Sequence, residues 1–224
     1  RQFMEGDQGT IASGHPREVW EGYGDFYRSK NRLYDDEVAK ITAALKARGL
    51  YDDTVIVATS DHGDMDANHR LIFKGPFMYE HMVRVPLVVR LPDGMAGRRG
   101  AYEKAGVSLA DLFPTLIELA GGRPPGTDGQ SLVPALTGSG RPPERDFLIS
   151  QYYNKQVWTN PIRMLRTSDW KYNLYIHYGE ELYDLRNDPD ELVNLAGDPA
   201  REAVRKELRA ELEKDQMIEK VKSD

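Results

Sequence analysis

Cysteine is absent from the 224 residues, so no disulfide, thiolate nucleophile or zinc–thiolate site can form within this chain. Basic residues are not in surplus, since 30 Lys and Arg stand against 36 Asp and Glu and leave a net charge of −6. The charges are dispersed rather than blocked, which argues against a polyanion binder and against nucleic acid as partner. No apolar run is long enough to cross a bilayer, so no membrane span is expected. Internal repeats and low-complexity runs are absent too. The sequence opens at Arg1 without a charged-then-apolar leader, so a signal peptide is missing, cleaved or outside this sequence.

What is present is a hydrophobic content of 40%, enough for one sizeable core or a large domain with a small appendage. The chain is organised around Thr54 to Arg90. The run Thr54-Val-Ile-Val-Ala-Thr59 is β-branched and apolar on both faces, as in a buried strand of a helix-covered sheet, and Pro86-Leu-Val-Val-Arg90 reads as a second strand. Between them stand Asp61, His62, Asp64, Asp66, His69 and Lys74. Ligands in open α/β sheets bind beyond the carboxyl ends of strands, which is where Asp61 and His62 fall. A carboxylate beside an imidazole offers lone pairs to a metal, although Asx-Gly turns also follow strands for backbone reasons alone.

Residues 1–17 are polar and Gly-rich, a loop entering the domain, and His15-Pro16 within it is read as a turn rather than a ligand. From about Glu18 to Arg48, residues Tyr23, Phe26, Tyr27, Leu33, Tyr34, Val38, Ile41 and Leu45 recur every three or four positions. They predict one stripe of a long helix closed by Gly49. Residues 91–100 form a surface loop. A helix over 107–120 follows, with Ser108 as N-cap and Pro114 either bending it or early enough to be tolerated. The Gly- and Pro-rich stretch 121–145 is a crossing segment with one turn of helix near 132–136. Beyond it strands are expected at 146–151, 162–167, 170–176 and 181–185, with a hairpin at Thr167-Ser-Asp-Trp170 and a turn at Asn187-Asp-Pro-Asp190. A helix from Pro199 to about Met217 should pack Val204, Leu208 and Leu212 on that antiparallel sheet.

Several stretches in this order resemble the sulfatase family of the alkaline phosphatase superfamily: LYDDEVAKITAALKARGLYDDTVIVATSDHG, HRLIFKGPFMYEHMVRVPLVVR, DLFPTLIELAG, TDGQSLVPALTG, RTSDWKYNLY and EELYDLRNDPDELVNLA. The resemblance covers roughly residues 23–200. It implies an alkaline phosphatase-like layered α/β body over residues 1–125 and, over 126–224, a crossing segment with a small C-terminal antiparallel sheet plus helix. It also implies that Asp61 is a ligand of a divalent cation and that His62, where many members carry Asn, is the adjacent ligand. Calcium comes first on the hardness of the carboxylate, with Mg²⁺, Mn²⁺ or Zn²⁺ admitted by the imidazole. Lys74 matches the lysine that contacts a sulfate oxygen, a catalytic and substrate-binding role that needs a water-poor pocket. His69 is a candidate substrate contact. Asp64 and Asp66 are read as turn residues, Glu80 as fixing the loop through backbone amides, and Asp184 as structural.

What the family places at its start is missing: two metal-binding aspartates and a Cys/Ser-x-Pro-x-Arg motif whose first residue becomes the formylglycine nucleophile. The nearest string, Thr159-Asn-Pro-Ile-Arg163, lies after the metal loop instead of before it and is read as coincidence. The chain is therefore expected to be the C-terminal portion of a sulfatase, weakly active alone, needing the missing N-terminal segment or a companion chain. Its substrate would be a sulfated small molecule or carbohydrate, and its location periplasmic or secreted. Phosphonate monoester or phosphodiester hydrolysis on the same scaffold, and a non-catalytic binding module, are the competing readings.

Overall fold

The computed structural model describes residues 14–95, 97, 106–155 and 158–214. The entry loop at 1–13, part of the loop at 91–100 and the helix end near Met217 lie outside the described residues. In chain order the elements are helix α1 (Arg17–Ala47), strand β1 (Ile56–Thr59), the short helix α2 (Glu80–Val83), β2 (Leu87–Arg90), α3 (Leu112–Leu119), α4 (Val133–Thr137), β3 (Leu148–Lys155), β4 (Trp158–Arg166), β5 (Trp170–Tyr175), β6 (Gly179–Asp184) and α5 (Glu202–Glu213). Among the described residues, helices accompany two antiparallel sheets. Contacts group residues differently from a division at 125, because residues 75–83 and α3 fall in one unit with the four-stranded sheet, while α1, β1, β2 and residues up to 74 form the other.

In the first unit, α1 ends as its sequence predicts: Arg48 is the C-cap and Gly49 follows at φ +65°, a left-handed conformation that costs glycine little. Tyr23, Tyr27, Val38 and Leu45 of the stripe are half-buried, whereas Tyr34 and Ile41 on the same face and Phe26 and Leu33 at its edge are exposed, so the described residues cover the stripe only in part. Antiparallel pairing joins β1 to β2 from Ile56–Arg90 to Thr59–Leu87. The expected burial on both faces is corrected here. All four β1 residues are half-buried and Val88 is 63% exposed, because this is a two-stranded sheet. Arg90 ties β2 to the preceding turn, donating to the carbonyls of Tyr51 (2.8 Å) and Thr54 (3.0 Å) while its guanidinium stacks 3.9 Å from the Tyr51 ring centroid.

The second unit is built on β3-β4-β5-β6, antiparallel throughout. Alternation along the strands separates two faces. Leu165, Tyr172, Leu174 and Leu182 pack with Leu208 and Leu212 of α5, as the periodicity of 199–217 predicts. The opposite face joins Ile162 and Met164 to Met78. β4 starts four residues before the expected Ile162, because a bulge sets Asn160 and Pro161 opposite Tyr153, giving the proline a place where the ladder needs no N–H. At α3, Ser108 and Asp111 form a capping box over one 3₁₀ turn, and Pro114 is the third residue of the helix, early enough to be tolerated. Asp111 is fully buried. It accepts from Gln130 N (2.8 Å) and from Arg145 through both oxygens, pinning the crossing segment to α3. Gly129 is required there, since a Cβ would sit 2.0 Å from the Ala110 carbonyl oxygen.

Candidate active site

Asp61 and His62 follow the carboxyl end of β1 with only Ser60 between, and the turn is stitched locally. Ser60 Oγ donates to His62 O (2.7 Å), and His62 N donates to Asp61 Oδ1 (3.0 Å). His62 Nδ1 lies 2.8 Å from the Gly63 carbonyl oxygen, which can only accept, so Nδ1 carries the proton. Nε2, the other ring nitrogen, lies 3.5 Å from Asp61 Oδ2. A ring held by a carbonyl on one nitrogen and presenting the other beside a carboxylate is the arrangement of a ligating histidine. Burial alone raises the Asp61 carboxyl, but the neighbouring imidazole, the amides of His62 and Asp61 and the Lys74 ammonium outweigh it, so the group titrates below the usual carboxylate range.

Lys74 is thus close enough to act on Asp61. Both side chains are exposed, Asp61 at 83%, so the water-poor surroundings expected for Lys74 are not supplied by the described residues of this unit. His69 is half-buried with its Nε2 enclosed, in a left-handed conformation (φ +53°). Asp64 behaves as a turn residue, its Oδ1 accepting the N–H of Asp66 (2.9 Å). No group of three or more His, Asp and Glu side chains able to hold a metal occurs among the described residues, so neither Asp64, Asp66 nor His69 completes a ligand set with the Asp61–His62 pair. Two donors fit a fraction of a calcium shell, which takes six to eight oxygens. The pair itself fits the ion in donor chemistry.

His15 is exposed just ahead of α1, its ring edge-on to Trp20. Thr159-Asn-Pro-Ile-Arg163 lies within β4, where Arg163 is buried. Glu80 does not hold the loop through backbone amides as expected. Its carboxylate binds Arg166 Nε (3.0 Å) and Lys171 Nζ (2.8 Å), because these cations share its buried face. Asp184 caps a turn, accepting from the N–H groups of Arg186 and Asn187.

Comparison with known proteins gives this geometry a family. Residues 68–218 match the family model described as N-sulphoglucosamine sulphohydrolase, C-terminal. The chain belongs to the sulfatase family. This sulfatase chain is 31% identical over 218 residues to a Delta 4,5-hexuronate-2-O-sulfatase of Bacteroides thetaiotaomicron, covering 96% of the chain and 45% of that protein. Among solved structures it is similar to a 2-O GAG sulfatase, with TM-score 0.84 and 31% identity over 92% of the chain and 45% of the other. It is also similar to a phosphonate monoester hydrolase of Agrobacterium radiobacter, with TM-score 0.72 and 34% identity over 80% and 38%. The sulfatase chain therefore spans less than half the length of these relatives.

One residue at the site was not legible as functional in the sequence. Tyr23 of α1 donates from its hydroxyl to Asp64 Oδ1 (3.3 Å) across 41 residues, and no local pattern announces such a contact.

Proposed function

We propose that the protein containing this chain hydrolyses sulfate esters of a sulfated sugar, with Asp61 and His62 giving two ligands to a divalent cation and Lys74 receiving the sulfate group. The observation that carries this is the Asp61–His62 pair at the end of β1, with Nε2 3.5 Å from the Asp61 carboxylate and an ammonium within electrostatic reach. Calcium heads the order of cations, with Mg²⁺, Mn²⁺ and Zn²⁺ following. A bound cation supplies positive charge that favours the ionised form of the nucleophile, a hydrated formylglycine contributed by sequence outside this chain. Asp61 neutralises the cation, the Gly63 carbonyl fixes the His62 tautomer, and Lys74 offsets charge on the departing sulfate. His69, on the same loop, is the further substrate contact.

The remaining ligands and the dry cover over Lys74 come from the other half of the protein or a companion chain. The exposed part of the α1 stripe, Phe26, Leu33, Tyr34 and Ile41, supports this, since an apolar helix face is stable when it is covered. A hexuronate 2-O-sulfatase among the relatives supports a sulfated carbohydrate as substrate. A periplasmic or secreted location goes with this reading, and cell fractionation checks it.

Turnover of an aryl sulfate by the full gene product tests the assignment. Asp61→Ala and Lys74→Ala are each expected to lower kcat/KM by about 100-fold or more. Retention of wild-type turnover in either variant rejects that residue's role. The similarity to a phosphonate monoester hydrolase favours one second reading, hydrolysis of phosphonate monoesters or phosphodiesters at the same site. Faster turnover of a bis-aryl phosphate than of the aryl sulfate would decide for it.

A further inference from the structure

The loop ending at Lys74 holds an uncommon backbone. Asp66, Ala67, His69, Arg70 and Phe73 all have φ between +43° and +68°, a region that L side chains occupy only where their surroundings hold them. Backbone bonds from Met65 N to Phe73 O (3.3 Å), Asn68 N to Met65 O (2.7 Å), Arg70 N to Ala67 O (3.1 Å) and Leu71 N to Asn68 O (2.9 Å) hold the interior of the loop. Tyr23 ties it to α1 near both ends. Its hydroxyl donates to Asp64 Oδ1 (3.3 Å), and its ring stands edge-on to the Phe73 ring at 6.4 Å. Asp64 Oδ1 in turn accepts from Asp66 N (2.9 Å), so one side chain joins the first left-handed residue to the last. Tyr27, one helical turn on, feels the charges of Asp64 and Asp66 and borders the same loop.

We propose that Tyr23 is a positioning residue: it clamps the Asp64–Phe73 loop to α1 and thereby sets Lys74, the next residue, where its ammonium acts on the Asp61 site. The catalytic consequence rests on the sulfate-ester reading, while the clamp itself does not. The 31-residue helix is regular along its length, whereas the loop has a single 3₁₀ turn, Asn68–Arg70. Tyr23→Phe removes the hydroxyl and keeps the ring.

Two measurements on the full gene product separate clamp from function. Hydrogen exchange followed by mass spectrometry should show the amides of 64–74 exchanging about tenfold faster or more in Tyr23→Phe, with α1 unchanged. A double-mutant cycle with aryl sulfate should show Tyr23→Phe lowering kcat/KM about tenfold in the native background but less than about twofold in Lys74→Ala, because an effect exerted through Lys74 disappears with it. Unchanged exchange at 64–74 overturns the clamp. Faster exchange with unchanged turnover, or an equal loss in both backgrounds, overturns the positioning role. A parent protein inactive on every sulfate ester, together with faster exchange in the variant, supports the clamp and rejects the sulfate-ester reading instead.

Discussion

Lys171 shows what a buried charge requires. Its ammonium has no exposure; it is ion-paired with Glu80 Oε1 (2.8 Å) and Glu191 Oε1 (2.8 Å) and donates to the Met78 carbonyl oxygen (2.9 Å). Glu191 reaches in from a left-handed residue (φ +57°) and its other oxygen accepts from Glu80 N, so the cluster anchors the segment that follows Lys74 onto the sheet. Lys171→Met should cost about 3–5 kcal/mol in urea unfolding, since it takes the cation from the buried Glu191 carboxylate and leaves Glu80 with Arg166 alone. Two glutamates on this face then respond to pH with opposite sign. Burial acts to raise the Glu80 carboxyl but is outweighed by Lys171 and Arg166, which hold it below its ordinary 4.5. Its contribution is full above that ordinary value and is lost as pH falls through the lowered one, so Glu80→Gln should be less stable at neutral pH and flatter in acid. Glu181 is raised, by burial first and by the charge of Glu191, despite the donors Asn173 and Tyr175. Stability it allows below the ordinary value is lost as pH rises through the raised one. Glu181→Gln should therefore remove that loss, gaining on the parent above neutral pH in thermal melts.

At the scale of elements, sequence patterns located most of the structure and erred where partners decide. The 3.6-residue period of α1 and its Gly49 stop were readable because both are local. Gly49→Ala should cost about 1 kcal/mol through backbone strain alone, as nothing lies within 4 Å of an added Cβ. Which of the eight apolar positions are covered and which are left exposed was not readable, because the period fixes the face of the helix and not the partners that meet it. α5 was simpler: Leu208 and Leu212 meet the apolar face of the sheet, and Leu212→Ala should cost about 2–5 kcal/mol in denaturant unfolding. The start of β4 was misplaced because Pro161 reads as a strand breaker, and only the pairing with β3 provides the bulge that admits it.

At the scale of the whole molecule, this chain spans less than half the length of its relatives. With two donors at the end of β1, this chain by itself should show no rise in Tm with calcium at millimolar concentration, whereas the full protein should show one, and calorimetric melts with and without a chelator compare the two. The sequence alone determined the family, the adjacency of Asp61 and His62 and most of the elements, because motif order, neighbouring residues and hydrophobic period are properties of the chain read locally. It could place Lys74 near that pair only by resemblance. Tertiary structure alone decided the tautomer of His62, the hold of Tyr23 on the Lys74 loop, the cations that claim Glu80 and the openness of the site. Each of those depends on groups far apart in sequence meeting in space, or on a carbonyl turned by a fold, and neither composition nor spacing records which pairs will meet.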